Sequence, residues 1–268
     1  MRRTIVSLAA ALVTGLAAAS AEACETLRMA PGGLVVEVVD GDTVRLDSGL
    51  VVRLIGTQAP KLPLGRDGFP TWPLAPEAKA ELEAFALNKT VLLGYGGEMV
   101  DRYERALAHV FVETDGEPLW AQYHMVQNGW ARVYSFPDNR QCLDQLYVAE
   151  GRARAERLGI WADPYYSVRA ADRPDLLLER GGGYELVEGR VLLADRSGSR
   201  VYLNFGRFWN EDFTAVIEAP ALRLFASDGI DPLTLEGALI RVRGWVDDRD
   251  GPRIEVTHPE QIEVLARQ

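Results

Sequence analysis

Histidine and cysteine are scarce in this chain: three and two in 268 residues. His109, His124 and His258 are scattered, and none has a second ligand at metal spacing. His109 falls in an expected strand and reads as a core or edge residue rather than a base. There is no glycine-rich phosphate loop and no serine or cysteine nucleophile motif. Positive charge is short as well: 29 Lys and Arg face 39 Asp and Glu, for a net charge of −10. Nucleic-acid binders ordinarily carry a basic face, so this balance disfavours tight, non-specific binding to phosphate backbones. It leaves room for a local arginine cluster in a cleft. After the first two dozen residues no apolar run is long enough to cross a bilayer.

Hydrophobic residues at 47% and charged residues at 25% describe an ordinary globular protein of one large domain or two smaller ones. Residues 1–23 have the parts of a secretory signal: Arg2 and Arg3, the apolar run Ile5 to Ala19, and the small-residue site Ala19-Ser20-Ala21. A periplasmic or secreted protein is expected, soluble once the signal is removed. Cys24 follows that segment, but Glu22 spoils the match to a lipid-attachment site. In an oxidising compartment Cys24 and Cys142 are candidates for one disulfide. Geometry decides between bridge, lipid anchor and free thiol.

Two blocks, 33–163 and 184–266, are separated by residues 164–183, where Pro164, Pro174 and Gly181-Gly182-Gly183 interrupt any period. In the first block Leu34–Val39, Thr43–Leu46, Leu50–Ile55, Thr90–Tyr95 and Leu107–Glu113 read as strands. Pro76–Asn88, Leu119–Gln127 and Cys142–Leu158 read as helices. Five short strands with helices at the side predict a small barrel plus helices, an α+β arrangement. In the second block Tyr184–Leu193 and Arg200–Phe205 flank a hairpin signal, and Phe213–Ile217, Ala238–Val246 and Arg253–Val256 continue the strand pattern. That predicts a mostly β domain of the five-stranded OB type, with at most one short helix; other small all-β folds fit nearly as well. Its arginines are numerous but interleaved with acids, and Phe205, Phe208 and Trp209 are its candidates for base stacking.

Asp40-Gly41-Asp42-Thr43 alone is an ordinary turn signal. It is followed by Arg53-Leu54, then Asp101-Arg102-Tyr103-Glu104-Arg105-Ala106-Leu107, then Gly129-Trp130-Ala131-Arg132-Val133-Tyr134, Ala149-Glu150 and Gly159-Ile160-Trp161. That ordered set resembles the thermonuclease (staphylococcal nuclease-like) family over residues 33–163. The resemblance implies an OB-like barrel with three helices and an ancestry of Ca²⁺-dependent phosphodiester cleavage in DNA and RNA. In such a site a hard cation on carboxylates neutralises the phosphate, a glutamate positions or deprotonates water, and two arginines stabilise the growing charge. By the resemblance, Asp42 is the metal-binding aspartate and Asp40 its supporting acid. Arg53 and Arg105 are the phosphate-binding arginines, and Tyr103 and Tyr134 line the substrate cleft.

The segment Gly56-Thr57-Gln58-Ala59-Pro60-Lys61 departs from the family pattern. Gln58 stands where a second metal-binding aspartate belongs, and Lys61 where the catalytic glutamate belongs. A protonated ammonium repels a cation and cannot act as a base, and losing a general base costs about 10²–10⁴-fold. Three readings follow. The favoured one is an exported, catalytically impaired nuclease relative, with a weak or lost Ca²⁺ site, that binds DNA or RNA through a local arginine cleft. The second is an active metal-dependent nuclease that recruits Asp67 or Glu77, although these read as a solvated loop acid and a first-turn helix acid. The third is a non-catalytic protein-interaction module of the cell envelope. Lys61 itself could join Arg53 and Arg105 in a metal-free anion site; pairing with Asp40 or Asp42, in the place of the metal, is the favoured alternative.

Overall fold

A computed structural model describes residue 24 and residues 26–267. The expected signal segment, 1–23, lies outside the described residues. No helix among the described residues is long and apolar enough to cross a membrane.

The first block is a closed barrel. Its longest strand, β1 (Arg28–Asp40), pairs with β5 (Thr90–Tyr95) through its first half and with β2 (Thr43–Leu46) through its second. Alternation puts Val44 and Leu46 of β2 inside, with Arg45 between them facing out. β2 continues antiparallel into β3 (Val51–Leu54), which closes the barrel by pairing in parallel with β6 (Ala106–Val112). The short strand β4 (Gly56–Gln58) leaves the barrel.

Between β4 and β5 lies α1 (Ala75–Ala86), which has Pro76 in its first turn. Ala75, Ala78, Leu82 and Ala86 form its buried stripe at helical spacing. Leu119–Gln127, expected as one helix, is divided. Leu119 and Trp120 form β7, which pairs with the edge of β6, and the helix α2 (Ala121–Gln127) starts only afterwards. An unpaired strand edge and the stacking of Trp120 between Phe111 and Tyr123 outweigh helix propensity there. Next come β8 (Arg132–Tyr134), which pairs with β4, and α3 (Leu143–Ala155). Cys24 and Cys142 are joined as a disulfide, with Cα atoms 5.7 Å apart, tying the chain ahead of β1 to the start of α3.

Residues 164–183 hold structure of their own: β9 (Arg169–Ala170) and α4 (Pro174–Leu178). The second block repeats the first barrel's strand order. Tyr184–Leu193, expected as a single strand, bends at residues 191–192 into β10 (Tyr184–Arg190) and β11 (Leu193–Ser197). Together they take the part of β1: β11 pairs with β12 (Arg200–Asn204), and β10 pairs with both β9 and β14 (Leu239–Asp247). The third strand, β13 (Thr214–Ile217), runs parallel to β15 (Arg253–Val256), as β3 does to β6. The helix α5 (Ala219–Ser227) comes after the third strand, as α1 does, and β16 (Ile262–Ala266) adds an edge beside β14.

The two barrels are joined by a buried apolar cluster that includes Ala153, Ile160, Tyr166, Tyr184 and Leu186, and by polar contacts. Arg243 of β14 is fully buried, with Nη2 2.9 Å from Glu150 Oε2 of α3 and Nη1 3.1 Å from the Val133 carbonyl. Nearby, His258 Nε2 lies 2.7 Å from Ser135 Oγ across the same contact.

Burial, and then the cation of Arg140, push the His258 imidazole down to about 4 from its ordinary 6.5. The folded protein therefore prefers this histidine neutral. Its contribution is complete above pH 6.5 and is lost as the pH falls from there toward 4, an effect of about 3 kcal/mol. His109, pushed down to about 3 by burial alone, works in the same direction. Denaturant titrations between pH 7.5 and 4.5 should show falling stability, and a His258→Gln variant should fall less steeply. Equal slopes for the two proteins would refute this.

Candidate functional site

The turn between β1 and β2 is built by the residues of the Asp-Gly-Asp-Thr motif. Asp40 Oδ1 accepts from the Asp42 N–H at 3.1 Å, closing the turn. Gly41 packs so closely that an added Cβ would lie 2.6 Å from Ala59 Cβ and 3.0 Å from Ala78 Cβ, so only glycine fits. Asp42 is completely buried, and its Oδ2 accepts from the Ala59 N–H at 2.8 Å.

Lys61 enters this turn from the loop after β4. Its Nζ is 2.6 Å from both Oδ1 and Oδ2 of Asp42 and 3.3 Å from Asp40 Oδ2. Arg53 of β3 closes the other side, with Nη1 2.9 Å from Asp42 Oδ1. Burial pushes the Asp42 carboxyl up, but Arg53 and Lys61 together hold it well below the usual carboxylate range. Asp40, also buried and beside the charge of Asp42, is pushed up instead. The two acids thus share two cations supplied by the chain.

The other expected site residues are engaged too. Arg53 Nη1 also donates to the carbonyls of Asp42 (3.2 Å) and Leu54 (3.1 Å), and Nη2 to that of Thr57 (2.7 Å). It is buried, so the guanidinium acts as a brace for β3 and the following turn. Arg105 precedes β6, two residues out of register with Arg53 across the parallel pair. Its Nε and Nη2 bind Asp101 Oδ2 at 2.8 and 2.6 Å. Tyr103 is 63% exposed, with the guanidinium carbons of Arg102 and Arg105 4.9 and 5.5 Å from its ring centroid.

Tyr134 packs edge-on against Phe136, Tyr184 and Trp245, and its hydroxyl accepts from Trp245 Nε1 at 3.1 Å. It is therefore part of the contact between the barrels. Asp67 and Glu77 are exposed, and among the described residues neither bonds to the Asp40–Asp42 pair.

Within the Gly129–Tyr134 motif the sequence assigns Arg132 no role, yet it shapes the site. It is buried, donates from Nε to Gln58 Oε1 at 3.1 Å, and lies over the rings of Trp72, Tyr166 and Tyr184. Ca²⁺ takes six to eight oxygens at roughly 2.3–2.6 Å. Here the oxygen of Gln58 is bound to Arg132, both oxygens of Asp42 are bound to Lys61, and Lys61 and Arg53 already bring two positive charges to the Asp40–Asp42 pair. This donor set does not fit a divalent cation. Among the described residues no group of three or more His, Cys, Asp or Glu side chains comes together to hold a metal ion.

Comparison with known proteins points in one direction. Residues 51–163 match the model of a family described as staphylococcal nuclease homologue, a stretch that begins after Asp42 and takes in Arg53, Gln58, Lys61 and Arg105. A thermonuclease of Staphylococcus intermedius is 30% identical over 131 residues, 48% of this chain and 74% of that protein. Protein ParB of Escherichia coli is 30% identical over 172 residues, 61% of this chain and 89% of that protein. Endonuclease Htp3 of Saprolegnia parasitica is 27% identical over 151 residues, 48% of this chain and 69% of that protein.

Proposed function

Because this chain belongs to the staphylococcal nuclease homologue family, we propose that it is a nuclease relative whose hydrolytic site is sealed by an internal ion pair and which retains affinity for nucleic acid. One observation carries the reading: the Lys61 ammonium stands 2.6 Å from both oxygens of Asp42. A cation built into the chain neutralises the acids that the family directs at Ca²⁺. Among the described residues, neither Asp67 nor Glu77 stands in for the family's glutamate beside them. Residual binding falls to the rim, where Tyr103 is flanked by Arg102 and Arg105. An aromatic face between guanidinium groups suits a base and its phosphate. The joined Cys24 and Cys142, with the expected leader ahead of them, support a periplasmic or secreted location.

Cleavage of fluorescent single-stranded DNA, with Ca²⁺ and with chelator, tests the proposal. The expected result is the same negligible rate under both conditions, in the wild type and in Arg105→Ala. Ca²⁺-dependent cleavage that Arg105→Ala abolishes would mean an active enzyme with a replacement acid, and would overturn the reading.

A further inference from the structure

Lys61 owes its place to a loop, and that loop has a second anchor away from the Asp40–Asp42 turn. Residues 59–74 join β4 to α1 and carry Pro60, Pro63, Pro70 and Pro73. At the base the Trp72 N–H donates to the Lys61 carbonyl at 2.9 Å, closing residues 62–71 into a compact surface loop. Inside it Arg66 donates to the carbonyls of Leu62 (2.7 Å) and Pro63 (3.0 Å), and its guanidinium carbon lies 3.7 Å from the centroid of the Phe69 ring. Phe69 in turn stacks on Trp72. The loop is held by its own contacts, and the backbone of Lys61 is tied to Trp72.

Trp72 is pinned from the far side. Its ring centroid is 6.2 Å from that of Tyr165 and 6.0 Å from the Arg132 guanidinium carbon, and the Tyr166 hydroxyl donates to the Pro73 carbonyl at 2.6 Å. Trp72, Leu74 and Tyr165 pack on the apolar cluster that joins the barrels, which includes Tyr184 and Leu186 of β10. Tyr165 is itself fixed: Arg169 donates to its carbonyl at 2.8 Å, and the Arg180 guanidinium covers its ring at 4.1 Å. Both arginines converge on the buried Glu185 of β10, at 3.3 and 2.7 Å. An unbroken set of contacts therefore runs from the second barrel through Tyr165, Tyr166 and Trp72 to the lysine that neutralises Asp42.

Such an anchor bears on the strength of the seal. A lysine loses rotamer freedom when it pairs, and a mobile loop would add backbone entropy to that loss. Fixing the Lys61 backbone beforehand leaves only the side chain to order, which keeps the ammonium at Asp42 rather than in water. The acids themselves do not depend on the anchor: their turn is held by the Asp42 and Ala59 N–H groups and by Arg53. Loosening the loop should therefore move the cation and leave the acids in place.

We propose that Trp72 and Tyr166 are positioning residues for Lys61, and that the segment leading to the second barrel holds the seal on the Asp40–Asp42 pair closed, a role that presupposes the sealed site.

Lysine reactivity tests this, because Lys61, Lys79 and Lys89 are the only lysines in the chain. Brief labelling of the folded full chain with an amine-acetylating ester, followed by peptide mass analysis, gives a rate for each, with Lys79 and Lys89 as internal references. In the wild type Lys61 should be the slowest of the three, since its side chain is 19% exposed and its Nζ is held by both aspartates. Tyr166→Phe removes a single hydroxyl and should raise the Lys61 rate about 2- to 12-fold. Trp72→Ala should raise it about tenfold or more, and Trp72→Phe, which keeps a ring in that place, should restore most of the protection. The rates of Lys79 and Lys89 should not change. A Lys61 rate that stays at its wild-type value in Tyr166→Phe and Trp72→Ala would overturn the proposal and leave the sealed site standing. An equal rise at all three lysines, which marks general loosening, would do the same. A wild-type Lys61 that reacts as fast as Lys79 and Lys89 would instead remove the sealed site itself, and this role with it.

Discussion

Replacing Lys61 by Glu should make the stability of this protein depend on Ca²⁺, which the wild-type fold should ignore. In the wild type Lys61 and Arg53 neutralise the buried Asp40–Asp42 pair. Removing the ammonium leaves the two buried acids with one guanidinium, and a new carboxylate adds repulsion. Breaking a buried pair in this way costs about 3–5 kcal/mol, so the metal-free variant should be clearly less stable. The same change creates what the wild type lacks, a group of three carboxylates with no ammonium among them and Arg53 as their one cation. A metal that binds the folded state at 100 times its dissociation constant returns about 2.7 kcal/mol. For a chain of this size that corresponds to a rise in Tm of roughly 5–10 °C.

Gln58→Asp alone should do little, because Lys61 stays in place and Arg132 already faces position 58. The double variant should respond to Ca²⁺ more strongly than Lys61→Glu and should be the first to show Ca²⁺-dependent cleavage of single-stranded DNA. Thermal melts with Ca²⁺ and with chelator check the order. If Ca²⁺ moves the Tm of the wild type as far as that of the double variant, the ion pair is not what excludes the metal.

The part of this site that could be read from the sequence is the part written in local spacing. The Asp40–Thr43 turn, Arg53 on β3 and Arg105 just before β6 lie at a turn, on a strand and at a strand start, the local features that a motif records. The partner of Lys61 was among the alternatives, since a lysine beside two acids has few other uses.

Contacts between residues far apart in the chain left no such signal. Arg132 is an unremarkable position inside a motif until Gln58 Oε1 and three aromatic rings gather around it. Tyr134 was expected to line a cleft, but Tyr184 and Trp245, which pack on it, belong to the second barrel. The bend at residues 191–192 was hidden for a different reason: β10 and β11 are each regular strands, and only barrel closure requires the break. The pattern of short strands pointed to small barrels, yet the recurrence of one strand order in both halves emerges only from the pairings.

Replacing Arg243 by Met should cost about 3–5 kcal/mol, the price of stranding Glu150 in the contact between the barrels. Glu150 is completely buried, and its carboxyl, which burial alone would push up, is held below its usual range chiefly by Arg243. With Arg243 gone, Glu150 keeps Arg154 at 3.0 Å and the Val133 N–H at 2.7 Å, while the Val133 carbonyl loses a donor. Burial would then favour the protonated acid, so the deficit of the variant should shrink as the pH falls toward 5.

The burial of the ion pair is not stabilising in itself, since desolvating both groups offsets most of their attraction. Removing both charges should therefore restore much of the loss. Arg243→Met/Glu150→Gln keeps an oxygen for the Val133 N–H, and should recover about 1–3 kcal/mol relative to Arg243→Met alone. Denaturant melts of the two single variants and the double variant measure this coupling directly. A second consequence concerns cooperativity: Arg243, Tyr184 and His258 join the barrels at neighbouring points, so the wild type should unfold in one transition. If Arg243→Met instead unfolds as the wild type does, with the same midpoint, the buried pair is not what couples the two barrels, and the apolar contacts around Tyr184 and Tyr166 must carry that role.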